Sequence, residues 1–187
     1  MQRAEYNMNF IIEEAQERDI DGVEQLYNDI CDFLAAKEYN PGWRKGYYPT
    51  RREVLYFLEK DALYVVKSQG KIVGSVALTH SSNAEAEENL QYLEMEQKDV
   101  FFIHDFVVHP DCHHQGIGTA MLAFAEELGR QQGVKSIRLY VYEKNTVAIS
   151  VYEKSGYVYR EKVDIGLSQF GLDWFCLYEK VLNNETI

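Results

Sequence analysis

The stretch DFVVHPDCHHQGIGTAML, residues 105–122, decides the fold of this chain. It continues the run VFFIH, residues 100–104, and the combined run is too apolar for a half-exposed strand, which indicates a strand at the centre of a sheet. Pro110 closes that strand, and a one-sided apolar stripe after the glycines predicts a helix that ends near Gly133. Two glycines therefore lie in the turn between a central strand and a helix.

Gly116 and Gly118 give this turn a backbone without side chains. The amide groups and the positive dipole end of a helix start favour an anion, and glycines let a phosphate reach those amides. In a second interpretation the glycines only permit a tight turn and close packing on the sheet. The sequence contains no P-loop motif, GxxxxGK followed by Ser or Thr. The dinucleotide fingerprint GxGxxG is also absent, because Met121 stands where its third small residue belongs.

The rest of the chain predicts a mixed α/β fold. A strand in NFIIEEA precedes an amphipathic helix from Ile20, and a capping box from Thr50 to Glu53 opens a second helix, RREVLYFLEK. Two strand-like runs around SQGK predict a hairpin. After the central strand and its helix, the sequence predicts the strand SIRLYVY, a short helix that ends before Gly156, and two closing strands. The predicted order is β α α β β β α β α β β, in one domain over residues 1–187.

This arrangement resembles the GNAT family of acetyl-CoA-dependent N-acetyltransferases. The family signature between strand and helix, Gln/Arg-x-x-Gly-x-Gly/Ala, is matched except that His113 replaces the first residue. A second family block, Asn-x-x-Ala-x-x-x-Tyr-x-x-x-Gly-Phe/Tyr, is matched in full by Asn145, Ala148, Tyr152, Gly156 and Tyr157. The resemblance implies a GNAT-like mixed, mostly antiparallel central sheet of about seven strands, with four or so helices and splayed central strands.

The resemblance also implies where acetyl-CoA would bind as co-substrate. Its pyrophosphate would lie on the amides of the turn, and its pantetheine arm would pair like an extra strand where a bulge interrupts the central strand. The residues implied in binding acetyl-CoA are Phe106, Val107, Val108, His114, Gln115, Gly116, Ile117, Gly118, Thr119 and Asn145. The substitution at His113 affects a side-chain role there but leaves the amide cradle intact.

Two side chains are candidates for the proton transfers of acetyl transfer. The resemblance assigns Tyr152 the role of proton donor to the leaving sulfur, although its place on the apolar face of a helix also fits a core residue. His104 is the predicted proton acceptor, directly or through water. Regular alternation along the strand would turn Asp105 to the opposite face. Either residue of this pair could equally be a polar group satisfied inside the sheet, and a backbone N–H near Val107 would stabilise the oxyanion.

Trp43, Tyr47 and Tyr48 form the predicted acceptor site, in the loop between the first two helices where the family usually builds its acceptor wall. Aromatic faces attract ammonium groups, although the same residues could simply pack the loop onto the core. An acidic run, residues 85–99, and a net charge of −11 favour a cationic acceptor. The predicted reaction is acetyl transfer to a primary amine of a small cationic molecule, with protein or peptide acetylation and non-catalytic acyl-CoA sensing as alternatives.

The composition narrows the expected partners. Thirty acidic against nineteen basic side chains argue against nucleic acid and against an anionic membrane. Three separated cysteines without a CxxC pair favour a reducing cytoplasm, and no apolar run reaches the roughly 18 residues of a membrane span. The cluster HPDCHH, residues 109–114, predicts a solvated turn rather than a zinc site, because adjacent residues chelate one ion poorly. We expect a cytoplasmic protein without a metal, and the sequence leaves a homodimer open.

Overall fold

The computed structural model describes residues 3–5, 10–82 and 95–182, and within them the chain forms eight strands and four α-helices. The strands are β1 Arg3–Glu5, β2 Ile11–Glu14, β3 Leu63–Ser68, β4 Lys71–Thr79, β5 Val100–Val108, β6 Ser136–Tyr142, β7 Val158–Val163 and β8 Phe175–Val181. The helices are α1 Ile20–Leu34, α2 Arg51–Glu59, α3 Ile117–Gln131 and α4 Thr146–Lys154. The predicted mixed α/β fold is confirmed. Strand β1 adds to the seven predicted strands, and at three residues it is too short to show a period in the sequence.

These elements pack as two compact units. The first contains Met1–Lys37, Trp43–Leu78 and His104–Phe124, and the second contains Glu38–Gly42, Thr79–Ile103 and Ala125–Ile187. Strand β5 and helix α3 each contribute residues to both units. The expectation of one domain over the whole chain stays a prediction.

The sheet of the first unit is antiparallel from β1 to β4. Pairing joins β1 to β2, β2 to β3 and β3 to β4. The hairpin between β3 and β4 turns at Gln69 and Gly70, whose φ values of 49° and 79° are those of the tight turn that SQGK predicts. The end of β5 runs beside β4, where the His109 N–H donates to the Val73 carbonyl oxygen at 2.8 Å.

Helices α1 and α2 also belong to the first unit. The sequence predicts an apolar stripe on helix α1, and the structure buries most of it, with Ile20 and Phe33 half-buried. The buried residues of α1 are Val23, Leu26, Tyr27, Ile30, Cys31 and Leu34. Helix α2 begins at the predicted capping box, in which the Thr50 side chain accepts from the Arg52 N–H and the Glu53 carboxylate accepts from the Thr50 N–H at 2.7 Å. The box holds the Glu53 carboxylate at the start of α2.

The second unit combines one parallel pair with antiparallel neighbours. Strand β5 starts parallel to β6, with Val100 opposite Ser136, and β6 pairs with β8 and β8 with β7 in antiparallel fashion. Ile137 and Leu139 of β6 and Leu177 of β8 are almost fully buried. None of the helices within residues 10–82 and 95–182 is long and apolar enough to cross a membrane.

Candidate active site

Strand β5 departs from regular geometry at Asp105. Its φ of 44° falls in the left-handed region, which a residue other than glycine rarely occupies inside a strand. Residues 100–103 are all buried, whereas buried and half-buried residues alternate from His104 onwards. The irregular residue follows His104, which is where the resemblance implies the bulge.

Both side chains at this irregularity contact the segment that leads into and through α2. The His104 ring stacks on Phe57, with ring centroids 5.6 Å apart and an interplanar angle of 29°. The Tyr48 hydroxyl donates a hydrogen bond to Asp105 Oδ1 at 2.6 Å. Asp105 therefore departs from regular strand backbone at the point where both side chains meet this segment.

Asp105 is a buried carboxylate with few partners. It is 7% exposed, and its Oδ2 has no hydrogen-bond partner among the described residues. Burial raises the pKa of Asp105 to about 6; the Tyr48 hydrogen bond opposes this increase and the Glu53 charge adds to it. Asp105 therefore gains or loses a proton close to neutral pH, as acid and base groups of enzymes do.

The three aromatic residues of the predicted acceptor site lie in different environments. Trp43 meets Tyr48 edge-on, with ring centroids 6.3 Å apart. Tyr47 faces outward, and the Arg44 guanidinium lies 4.4 Å from its ring centroid. Tyr48 is 40% exposed, yet its hydroxyl end is buried against Asp105, and this burial together with the Asp105 charge raises the pKa of Tyr48 far above its usual range. The structure thus brings Tyr48, but not Tyr47, to β5.

The backbone of this aromatic loop is fixed by short contacts. The Arg44 N–H donates to the Tyr48 carbonyl oxygen at 2.8 Å, and the Cys31 thiol of α1 lies 3.8 Å from the same oxygen. Lys45 forms an ion pair with Asp32, also on α1, at 2.6 Å. The loop is therefore tied to α1 on both sides of its turn.

The glycine turn has a backbone that suits an anion. His114 and Gly116 have φ values of 62° and 77°, and α3 begins immediately afterwards at Ile117. Left-handed residues turn successive N–H groups towards one side, and the N–H groups in the first turn of a helix have no intrahelical partner. Gly118 lies in that first turn. The turn fits the pyrophosphate of acetyl-CoA, since it offers backbone donors and carries no side chain at the two glycines.

His113, which departs from the family signature, links this turn to the end of β5. Its Nε2 donates to the Val108 carbonyl oxygen at 3.0 Å, and its ring meets Phe33 of α1 edge-on with centroids 5.8 Å apart. The side chain thereby connects the turn to the strand residue next to which the pantetheine arm is predicted to lie.

The predicted pantetheine segment runs close beside β4. Phe106 and Val108 are half-buried and Val107 is buried. A Cβ at Gly74 of β4 would lie 3.1 Å from the Val107 carbonyl oxygen and 3.1 Å from the Met121 sulfur. A side chain at residue 74 would therefore require its neighbours on β5 and α3 to move by a few tenths of an ångström.

Tyr152 and Asn145 belong to the second unit. Tyr152 is buried, its ring lies 6.1 Å from that of Tyr157, and burial raises the pKa of both phenols far above the usual range. The Asn145 side chain accepts from the Ala148 N–H at 3.2 Å and so caps α4. Asn145 thus has a structural role beside its predicted contact with acetyl-CoA.

The described histidines, cysteines and acids form no group of three suited to a metal ion. In the acidic run, residues 83–94 lie outside the described residues. Of its remaining acids, Asp99 pairs with Lys135 at 2.6 Å and Glu96 with Lys98 at 2.5 Å. Lysines therefore balance the charge of these two acids locally.

Two residues near Asp105 carry no functional signal in the sequence. Tyr27 is fully buried on α1, and burial followed by the Asp105 charge raises its pKa well above the usual value. Glu53 contributes a negative charge from the start of α2. A tyrosine in an apolar stripe and a glutamate in a capping box both have complete structural explanations, so only the folded arrangement associates them with Asp105.

Known proteins are similar to this chain in sequence and in fold. The profile of the family described as "Acetyltransferase (GNAT) family" matches residues 23–157. An uncharacterized N-acetyltransferase of Methanocaldococcus jannaschii is 30% identical over 146 residues, which cover 73% of this chain and 59% of the relative. A spermidine N(1)-acetyltransferase of Thermoplasma acidophilum is 38% identical over 48 residues, which cover 26% of this chain and 30% of that protein. The chain spans less than two thirds of the length of these two relatives.

A solved acetyltransferase structure from Salmonella typhimurium, which contains acetyl-CoA, superposes with a TM-score of 0.69. The match covers 96% of this chain and 97% of the other at 12% sequence identity. At that identity the likeness concerns the fold.

Proposed function

This chain belongs to the GNAT family of acetyltransferases, and from that premise we propose that it transfers the acetyl group of acetyl-CoA to a primary amine of a small cationic molecule. The turn from His113 to Gly118 is the observation that carries the proposal. Its two left-handed residues and the start of α3 offer N–H donors to a pyrophosphate. Bound acetyl-CoA would supply an activated thioester.

We assign the other demands of the reaction to three parts of the chain as proposals. The buried Tyr152 phenol stays protonated, because burial raises its pKa, and is our proposed donor to the leaving sulfur. A backbone N–H near Val107 is the proposed oxyanion donor. His104 and Asp105 are the two neighbouring candidates for proton acceptor on β5.

Three observations support a small cationic amine as acceptor. The chain carries a net charge of −11, which attracts cations. Tyr48, whose hydroxyl binds the Asp105 carboxylate, lies beside Trp43 in one aromatic loop, and aromatic rings attract ammonium groups. A relative that shares 48 aligned residues is named a spermidine N(1)-acetyltransferase.

Calorimetry with acetyl-CoA and with CoA tests the donor half. We expect Gly116→Ala to weaken binding, because Gly116 has a φ of 77° in the turn that would hold the pyrophosphate. Gly133→Ala is the matched control, since Gly133 has a φ of 76° at the other end of α3 and a Cβ there would meet open space. Both variants acquire a similar backbone strain of about 1 kcal/mol. Equal affinity in the two variants would remove the anion site from this turn.

Thiol release from acetyl-CoA in the presence of an amine library tests the acceptor half. Polyamines and aminoglycosides represent small cations, and peptide arrays represent protein acceptors. We expect turnover with a small polyamine or aminoglycoside. Turnover confined to peptides would replace the small acceptor by a protein, and acetyl-CoA binding without any transfer would make the chain a sensor.

Tyr152→Phe tests the proton donor. We expect turnover to fall by roughly 100-fold while the affinity for CoA is unchanged, as for the loss of a general acid. Tyr157→Phe is the control, because Tyr157 is a buried neighbour with a similarly raised pKa. Full activity of Tyr152→Phe would exclude the phenol from the proton transfer.

A further inference from the structure

Tyr48 spans the distance between the protein surface and a buried carboxylate. It is 40% exposed, whereas Asp105 is 7% exposed, and a hydrogen bond of 2.6 Å joins the Tyr48 hydroxyl to Asp105 Oδ1. Such a short bond is typical of a donor to an ionised carboxylate. A cation at the surface of the aromatic loop would therefore meet Tyr48 before it could reach Asp105.

The Asp105 carboxylate is poorly satisfied in its ionised form. Among the described residues Tyr48 is its one hydrogen-bond donor, and Oδ2 has no partner although it is buried. A buried anion with so few donors gains free energy when it takes up a proton. The left-handed φ of Asp105 adds backbone strain of the kind that clusters at functional sites.

The groups that face this carboxylate do not neutralise it. Tyr27 and Cys31 face it from α1 and Glu53 from α2. Burial is the main cause of the raised pKa values of Tyr27 and Cys31, and the Asp105 charge adds to both. His104 precedes it on β5, with its ring on Phe57. Among the described residues, no lysine or arginine contributes to the pKa shift of Asp105.

We propose that Tyr48 and Asp105 form a proton relay that receives the acceptor's ammonium proton, an inference that rests on the acetyltransferase function proposed above. The ammonium gives one proton to the Tyr48 oxygen while the tyrosine passes its own proton to Asp105 Oδ1, so Tyr48 is neutral before and after. The freed lone pair forms the bond to the acetyl carbon as the carbon–sulfur bond breaks. The sulfur takes its proton from the proposed donor Tyr152, and the nitrogen releases its second proton to solvent, from which the Tyr152 phenol is reprotonated. Asp105 later returns its proton to solvent, so the net reaction releases one proton.

The pKa values of Tyr48 and Asp105 suit the two roles that the relay requires. Tyr48 stays protonated because its pKa is far above the usual range, so it can pass protons but does not become an anion. Asp105 has a pKa of about 6, which suits a group that must accept a proton at neutral pH and release it again. Tyr48 would be the residue that touches the acceptor, and Asp105 the residue that stores the proton.

Steady-state kinetics of Tyr48→Phe and Asp105→Asn, over pH 5 to about 10, test the relay. We expect both variants to lose roughly 100-fold in kcat at pH 7. Raising the pH towards the pKa of the acceptor amine should restore much of this loss, because a neutral amine needs no proton acceptor. Tyr56→Phe is the control, since Tyr56 has the same 40% exposure in the same unit and its ring packs against Phe57.

The acid limb of kcat/KM distinguishes the relay from a structural hydrogen bond. The wild-type protein should lose activity below about pH 6, and Asp105→Asn should lack this acid limb. The Tyr48 hydrogen bond lowers the pKa of Asp105, so its loss in Tyr48→Phe should raise that pKa and shift the limb to higher pH. His104→Gln should keep the limb near pH 6. A limb that disappears in His104→Gln but persists in Asp105→Asn would overturn the relay in favour of His104.

The outcomes separate the relay from the function on which it rests. If the wild-type protein transfers acetyl and the Tyr48 and Asp105 variants match it at every pH, the relay is wrong and the acetyltransferase function stands. If the wild-type protein transfers acetyl to no amine, the function and the relay both fail.

Discussion

Two carboxylates, one in each compact unit, are buried to the same degree but are surrounded very differently. Asp105 is 7% exposed and Glu179 of β8 is 6% exposed. Glu179 accepts hydrogen bonds from Ser136 at 2.6 Å, Arg138 at 2.8 Å and Arg160 at 2.8 Å, whereas among the described residues Asp105 accepts one, from Tyr48. Burial favours the neutral form of both acids, and in the described part of the chain two arginines oppose it at Glu179 but no cation does so at Asp105.

The pKa values of the two acids move in opposite directions for this reason. Burial alone would raise the pKa of Glu179, but the hydrogen bonds from Ser136 and Arg138 and the charges of Arg138 and Arg160 hold it below the usual value. The pKa of Asp105 is raised to about 6. Glu179 therefore stays ionised near neutral pH beside its two arginines, whereas Asp105 titrates close to neutral pH.

Of the substitutions that test this contrast, Glu179→Ala should cause the largest change in the free energy of unfolding. The substitution leaves the almost fully buried Arg138 guanidinium without its carboxylate, and breaking such a pair costs about 3–5 kcal/mol in the free energy of unfolding. Urea unfolding measures this loss. Arg160→Ala serves as the comparison, because Arg160 is about one-third exposed and should cost about 1 kcal/mol or less. Similar small losses in both variants would show that the cluster does not hold the strands together.

Asp105→Asn should change stability in the opposite sense. The folded-state pKa of about 6 lies above the unfolded value of about 4, so the contribution of Asp105 is present below pH 4 and is lost as the pH rises through 6. Asparagine does not titrate and tolerates the left-handed backbone. The variant should therefore gain on the wild type by about 2 kcal/mol between pH 4 and pH 8. A pH-independent difference in urea unfolding would mean that Asp105 has an ordinary pKa.

Glu53→Gln should cause the smallest change, a small decrease in the pKa of Asp105, and it tests how much a neighbouring charge contributes to the difference between Asp105 and Glu179. Glutamine can keep the capping box of α2 but removes the charge that helps to raise the pKa of Asp105. We expect the pKa of Asp105, followed by carboxyl NMR or by the acid limb of kcat/KM, to fall by a fraction of a pH unit. Little change in the unfolding midpoint at pH 7 is expected. An upward shift would contradict the assignment of Glu53 as a repulsive neighbour.

Most of the fold could be predicted from the sequence because periodicity and capping report local structure directly. The run VFFIHDFVV became β5, SIRLYVY became β6, and the capping box at Thr50 opens α2 at Arg51. Strand β1 escaped prediction because it depends on pairing with β2 rather than on a pattern of its own. Pairing across a sheet is a tertiary property that short segments do not reveal.

The candidate site was less predictable than the fold. The glycine turn could be identified because left-handed backbone positions favour glycine, and Gly116 indeed has a φ of 77°. The surroundings of Asp105 could not, because alternation is a valid rule only for regular strands and Asp105 is irregular. Tyr48 was expected to attract an acceptor through its ring; that its hydroxyl reaches Asp105, 57 residues further along the chain, required the folded structure.

The loop that carries Trp43 and Tyr48 combines a surface feature with a buried one, since the hydroxyl of an exposed ring holds the acid beneath it. Surface loops ordinarily diverge quickly among relatives because they tolerate substitution and insertion. This loop does not have that freedom: a descendant that loses the tyrosine leaves Asp105 without its hydrogen-bond donor. Tyr48 and Asp105 should therefore be inherited or lost together, and transplanting a foreign loop to obtain a new acceptor would require replacing the aspartate as well.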